Sequence, residues 1–408
     1  MTDRPSPEIR RLYYTEPAVR AFDAAVVRSF VHEGRPAVTL DRTAFYPTSG
    51  GQPHDTGVLG AARVLEVVDG DVDGGDVVHV VSEPIAEGTH VHGEIDWARR
   101  LDHMQQHSGQ HVLSAAFERL TGNPTVSFHM GSETATIDLA REVGTDDVRA
   151  AEDGANAVVW EDRPVSMRFV SAAEAAALPL RKDPSREGTL RLIDVAGFDL
   201  SACGGTHVSR TGEIGLIVVL GWERFKGGSR VTFACGRRAL LSHRSLHEVV
   251  SGSVSALSVR PSELPAAIER LQAESKDQRK AIKTLQESLA SHEAARLLAG
   301  AAVVEGIRVV VQAVDGWDLA GLKTMSLSVV AAGGAVAVLL IPVSPAQVVV
   351  ARSSDVSLDA NALLRRLGER FGGKGGGRPD FAQGGGLTGD VQQILSAAAG
   401  FIEEALLT

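Results

Sequence analysis

The first 95 residues alternate short β-branched runs with Gly, Asp and Pro, as at Ala37–Leu40, Val64–Val68 and Val77–Val81. Several short strands at that spacing predict a small antiparallel barrel over 1–95. Near Asp96 the period changes. From Gln105 to Leu120 the apolar residues Val112, Leu113, Ala116, Phe117 and Leu120 follow a helical period, and Gly122 stands where a helix would end. Val148–Trp160 predicts a second helix. Val165–Val170, Leu190–Val195, Ile214–Gly221 and Arg230–Ala234 predict strands, which makes 96–245 an α+β core.

Pro261 to Ala299 is a helical stretch without internal glycine. Leu264, Ile268, Leu271, Ile282, Leu285 and Leu289 keep a 4-3 spacing that Ser275 and Gln278 interrupt. The segment 255–299 therefore reads as a coiled or hairpin-like linker, either one arm of an intramolecular helix pair or a dimer seam. Beyond it, strands at Ile307–Ala313, Ala335–Ile341 and Gln347–Ala351 alternate with helical segments, an α/β pattern for a C-terminal domain over 300–408. Gly372 to Gly389 holds nine glycines in 18 residues and reads as a loop ahead of a last helix, Val391–Leu407. The whole is an α+β chain of several domains.

Composition narrows the class. The chain has 408 residues and only two cysteines, Cys203 and Cys235, too few for a disulfide framework. That fits a reducing compartment, and a cytoplasmic protein is expected. Met1 to Glu16 is polar and does not read as a signal peptide. Met325 to Ala351 carries no charge, but Gly333-Gly334, Pro342 and Pro345 break it into runs that suit buried strands better than a membrane helix. The formal net charge of −10 argues mildly against a nucleic-acid partner. Four basic doublets, Arg99-Arg100, Arg181-Lys182, Arg237-Arg238 and Arg365-Arg366, leave room for a local basic footprint.

Two segments carry most of the chemistry. His107-Ser-Gly-Gln-His111 places two imidazoles one helical turn apart, and Cys203-Gly-Gly-Thr-His207 adds a thiol and a third imidazole. This is the donor set a borderline-soft cation such as Zn²⁺ prefers. His103 lies one turn before His107 and competes for inclusion. Four protein ligands suit a closed structural site, whereas catalysis needs an open position, so ligand counting leaves the metal's role undecided.

In Phe45–Gly57, Gly50-Gly51 permits close approach of backbone to a small ligand, with Thr48, Ser49 and Gln52 supplying hydroxyl and amide groups beside it. Near the C-terminus, Lys374 and Arg378 among glycines suit a phosphate-backbone contact. Gly368, Gly373 and Lys374 nearly match a P-loop, but Gly375 stands where its Ser or Thr belongs. No Gly-x-Ser-x-Gly or His-Glu-x-x-His occurs, so any hydrolysis should be metal- or water-based.

Together FYPTSGGQPHDTG (45–57), DWARRLDHMQQHSGQHVLSAAF (96–117) and DLSACGGTHVSRTGEIG (199–215) resemble the alanyl-tRNA editing proteins, freestanding relatives of the editing domain of alanyl-tRNA synthetase. GGKGGGRPDFAQGGG (372–386) resembles the synthetase's C-terminal domain. The resemblance covers nearly the whole chain and corresponds to the long form of the family. It implies one Zn²⁺ on His107, His111, Cys203 and His207, and a substrate that is alanine tRNA wrongly carrying serine or glycine. It implies that Thr48 senses the serine hydroxyl, that Gln52 matters for editing, that Gly50 and Gly51 border the substrate, and that Lys374 and Arg378 touch tRNA. The 44 residues before Phe45 are too few for an aminoacylation domain, so removal rather than attachment of amino acids is expected. A non-catalytic, zinc-containing tRNA-binding module is the alternative. Asp-His-His is absent, which disfavours the phosphoesterases that share a similar C-terminal domain.

Overall fold

The computed structural model describes residues 10–70, 76–182 and 188–407. The chain divides into two compact units, Met1–Ser253 and Val254–Thr408.

In the first unit, β1 (Ala21–His32), β2 (Arg35–Leu40), β3 (Gly57–Leu59), β4 (Ala62–Val68), β5 (Val78–Val81) and β6 (His90–Ile95) close into a barrel in the order β1-β2-β5-β4-β3-β6. Strand alternation turns Phe22, Val38, Val64, Val81 and Val91 inward around Phe45. The expected barrel is therefore present, and its β2–β3 connection carries the Phe45–Gly57 segment.

Helix α1 (Trp97–Thr121) follows. Asp96 caps it by accepting from the Arg99 amide at 3.2 Å, and Gly122 ends it in the left-handed region at φ 64°. It starts two turns before the expected Gln105. The turns before Gln105 lack apolar periodicity because their buried positions hold Arg100 and His103 beside the one apolar Met104. Arg100 is wholly buried and its Nε lies 3.0 Å from Asp55 Oδ2, which ties the helix to the barrel's β2–β3 loop.

The remainder of this unit is β7 (Thr125–Met130), β8 (Ala135–Leu139), α2 (Thr145–Trp160), β9 (Val165–Ser171), β10 (Thr189–Val195), β11 (Asp199–Ala202), β12 (Ile217–Phe225), β13 (Gly228–Cys235) and all but the last turn of α3 (Arg237–Leu257). Two antiparallel sheets result, β12-β13-β8-β7 and β11-β10-β9. Helix α1 packs on both, touching β7, β8 and β13 of one and β11 of the other. Gly109 explains its place mid-helix, since a Cβ there would meet Cys235 Sγ at 2.2 Å. Strands β7 and β8 and helix α3 were not anticipated. Helix α3 is mostly exposed, Leu240, Leu246 and Val249 included, so no buried face marked it in the sequence.

The second unit contains α4 (Leu264–Ala299), β14 (Ala302–Val304), β15 (Ile307–Ala313), α5 (Leu319–Val330), β16 (Ala335–Ile341), β17 (Ala346–Arg352), α6 (Ala360–Phe371), β18 (Lys374–Arg378), β19 (Phe381–Leu387) and α7 (Val391–Leu406). The sheet runs β14-β15-β16-β17-β19-β18, with β15 and β16 parallel and the other pairs antiparallel. Val338 and Val348 face α6 and α7, while Leu339 and Val349 face α5 and the end of α4. That two-sided burial is why Ala335–Ile341 is apolar throughout. Among the described residues, no helix is long and apolar enough to cross a membrane.

One expectation is narrowed and one changes. Of the linker's alternatives, α4 is the single unbroken helix and not the hairpin, with Ile268, Leu271, Ile282, Leu285 and Leu289 exposed along it. The glycine-rich segment is a strand pair rather than a loop. Gly375 packs so closely on Gly384, with a Cβ landing 2.5 Å from its Cα, that only glycine allows the pairing.

Candidate metal centre

His107 and His111 sit one turn apart on α1, and Cys203 and His207 come from the turn that leaves β11. Their donor atoms all lie within 4.8 Å of one another. Cys203 Sγ is 3.2 Å from His107 Nε2 and 3.4 Å from His207 Nε2. Tetrahedral coordination with metal–N near 2.1 Å and metal–S near 2.3 Å requires N···S edges of about 3.6 Å. The donor set thus fits one cation of the zinc type in both chemistry and spacing. The three imidazoles are buried and Cys203 is half-buried as a residue.

Each imidazole is anchored through Nδ1. That of His107 lies 2.8 Å from Gln52 Oε1, that of His111 2.9 Å from Asp199 Oδ2, and that of His207 3.1 Å from Ser108 Oγ. With Nδ1 engaged, Nε2 is the atom left for a metal. The Cys-Gly-Gly turn is held by Arg191, whose Nη1 donates to Cys203 O and Gly205 O, both at 2.8 Å. Gly205 has no alternative, because a Cβ there would stand 2.1 Å from His107 Cε1.

The cluster's electrostatics favour a thiolate. Burial opposes ionisation of Cys203, but the facing His107 and His207 rings and hydrogen bonds to His107 and His111 bring the thiol well below its ordinary range. Burial alone would lower His111, yet Asp199 and Cys203 raise it to about 9. Burial lowers His207 to about 3 despite Cys203.

Gln52 is fully buried and fully used. Its Nε2 donates to Thr206 Oγ1 at 2.8 Å, and its Oε1 also accepts from the Thr206 amide at 3.1 Å. It bridges the barrel loop to the Cys–His turn. Ser49 and Gln52 exchange backbone hydrogen bonds around Gly50 and Gly51, at φ 56° and 81°, a tight two-residue hairpin turn. Gly51 rests near Phe128, whose ring lies 5.4 Å from that of His107. Thr48 is exposed, and its hydroxyl pairs with His54, accepting from the His54 amide at 3.2 Å and lying 3.1 Å from Nδ1.

His103 stays outside the cluster. It is buried, and burial together with Arg99, Arg238 and Arg100 lowers it to about 3. Its Nδ1 has no hydrogen-bond partner among the described residues. Lys374 and Arg378 lie on the exposed edge strand β18, with Arg378 3.1 Å from Asp380. The basic doublets lose much of their nucleic-acid footprint. Arg100 pairs with Asp55, Arg181 with Asp199, Arg238 with Asp102 and Arg366 with Glu404.

The comparison with known proteins follows the same layout. The alanyl-tRNA editing protein AlaX-L of Pyrococcus horikoshii is 30% identical over 389 residues, covering 92% of this chain and 94% of its own length. The chain belongs to the alanyl-tRNA editing proteins. Alanine–tRNA ligases are also similar. That of Natronomonas pharaonis is 37% identical over 98% of the chain, and that of Pyrococcus abyssi 32% over 93%. The chain spans 44% and 42% of those two ligases. Family models match in three places: tRNA synthetases class II (A) at 12–99, the threonyl and alanyl tRNA synthetase second additional domain at 190–232, and the DHHA1 domain at 306–404.

The residues that sequence reasoning missed in this editing protein are the anchors Asp199, Ser108 and Arg191. Asp199 and Ser108 lay within the quoted motifs, but nothing in spacing says which imidazole they face.

Proposed function

We propose that the chain hydrolyses the ester of alanine tRNA wrongly charged with serine, or with glycine, and releases amino acid and tRNA. The observation that supports this most is the buried His107–His111–Cys203–His207 cluster fastened by Gln52 to the Gly50-Gly51 turn, in a chain matching an alanyl-tRNA editing protein along nearly its full length. The cation is Zn²⁺, one per chain. When bound it would supply positive charge beside the ester and the attacking water.

The chain's own residues do the rest. Gln52, Asp199 and Ser108 hold the ligands. The Ser49–Gln52 turn borders the amino acid, and Thr48 offers its hydroxyl to the serine side chain. The ester is labile, so positioning a water can suffice. Lys374 and Arg378 on β18 contact tRNA phosphates. The exposed α4 seam pairs with a second copy, since Ile268 and Ile282 alternate with Leu264, Leu271 and Leu285 as in two-stranded parallel coiled coils. The free thiols Cys203 and Cys235 suit the cytoplasm.

A zinc-containing tRNA-binding module is the second reading, favoured by a set of four protein ligands that fills a tetrahedron. Metal content and deacylation measured together separate the two. Cys203→Ala is expected to lower zinc content and abolish deacylation, with His103→Ala much milder. Full activity in a zinc-free preparation sinks the catalytic assignment. Equal damage from His103→Ala and His107→Ala sinks the choice of ligands.

A further inference from the structure

Asp199 is the one charged group among the three that hold the imidazoles. Gln52 and Ser108, which hold the other two imidazoles, are neutral. Its side chain is wholly buried, four residues before Cys203 on the strand that delivers the thiol. One carboxylate oxygen, Oδ2, lies 2.9 Å from His111 Nδ1. The other, Oδ1, accepts from Arg181 Nε at 2.6 Å, and Ser201 Oγ donates to both at 3.0 Å. Both carboxylate oxygens of Asp199 are thereby held, which sets its plane and, through Oδ2, the His111 ring. Arg181 is 13% exposed at the side chain and adjoins a cavity of about 470 Å³ that Arg119, Phe198 and Asp194 also line. No hydrogen bond of its terminal nitrogens is found among the described residues.

We infer that Arg181 and Asp199 are positioning residues, a relay Arg181–Asp199–His111 that sets the orientation of His111 and through it the affinity for the cation. The inference rests on the metal reading above. It gives Arg181, half of a basic doublet, a role inside the protein instead of on tRNA. Carboxylates that orient metal-bound imidazoles typically change affinity about 10–100-fold when removed. The Arg181 contribution is smaller, because Ser201 still restrains Asp199 when the guanidinium is gone.

Cobalt(II) titration of the full-length protein, followed by its visible d–d bands, tests the relay without any assay of activity. Competition with a chelator gives the zinc affinity. Asp199→Ala should weaken both metals about 10–100-fold, and Asp199→Asn less. Arg181→Gln should weaken them several-fold, and Arg181→Lys should recover part of the loss, because a lysine can still donate to Oδ1. The cavity beside Arg181 means a shorter side chain leaves no new sealed void, so these variants should fold. The decisive arm is the double variant. If Arg181 acts through Asp199, Arg181→Gln adds nothing once Asp199 is Ala.

Arg181→Gln with unchanged cobalt affinity and a flatter salt dependence of tRNA binding would overturn the relay and return Arg181 to the tRNA surface. Independent, additive losses in the double variant would also overturn it. A wild-type chain that takes up no cobalt overturns the metal reading itself. A wild type that binds cobalt no better than its variants overturns the relay alone.

Discussion

Thr48 bears the finest claim on selectivity. A site that uses a hydroxyl partner can disfavour the analogue lacking that hydroxyl by up to roughly 10⁴-fold, because its polar groups are left unpaired. Thr48→Val should therefore slow hydrolysis of the serine ester far more than that of the glycine ester. Equal losses on the two esters would remove Thr48 from the role. At this scale the His107–His111–Cys203–His207 cluster was readable in the sequence, because each pair is local, with three residues between its members. Its anchors were not. Asp199, Ser108 and Gln52 each reach a ring that their own segment does not contain, and only the packing of α1 against the barrel loop and β11 brings them there. Gln52 illustrates the difference. Its sequence context suggests a group facing substrate, whereas its amide is spent on Thr206 and His107.

At the scale of elements, the longer apolar runs were legible, whereas short β8, with only Ala135, Ile137 and Leu139 buried, was missed, as were turns whose buried face is largely polar. The turns of α1 before Gln105 bury Arg100 and His103 and escaped the periodic signal. Fully apolar Ala335–Ile341 was legible by contrast. Helix α4 is the element with the clearest unused pattern. Its 36 residues span about 54 Å at about 1.5 Å per residue. Its seam residues are exposed over that length until Ala290, Ala294 and Leu297 join the second unit's core. In a parallel pair, Glu274 of one copy would face Arg279 of the other. Sedimentation of the intact chain should give a dimer, and Leu271→Glu with Leu285→Glu should give a monomer that still deacylates. A wild type that stays monomeric at tens of micromolar would leave the seam without this role.

For the whole molecule, the two compact units suggest a division of labour. One holds the His107–His111–Cys203–His207 cluster, and the other presents the β18 edge. Linking two weak contacts raises affinity through effective concentration and leaves the chemistry alone. Deleting residues 300–408 should raise KM for full-length tRNA and leave kcat nearly unchanged. Changing Lys374 and Arg378 to Ala should move KM the same way by less, and flatten the salt dependence of binding, since each lost phosphate contact reduces the salt slope by about one. A truncated protein as effective as the intact one would assign the second unit to assembly.

The function of the chain turns on which ester is cut. The most direct measurement is deacylation of serine-, glycine- and alanine-charged alanine tRNA by the purified, zinc-loaded protein. The expected result is rapid release of serine, release of glycine to a lesser extent, and alanine left on its tRNA. Zinc-loaded protein that binds the serine-charged tRNA and leaves its ester intact would contradict the account and support the binding-module reading.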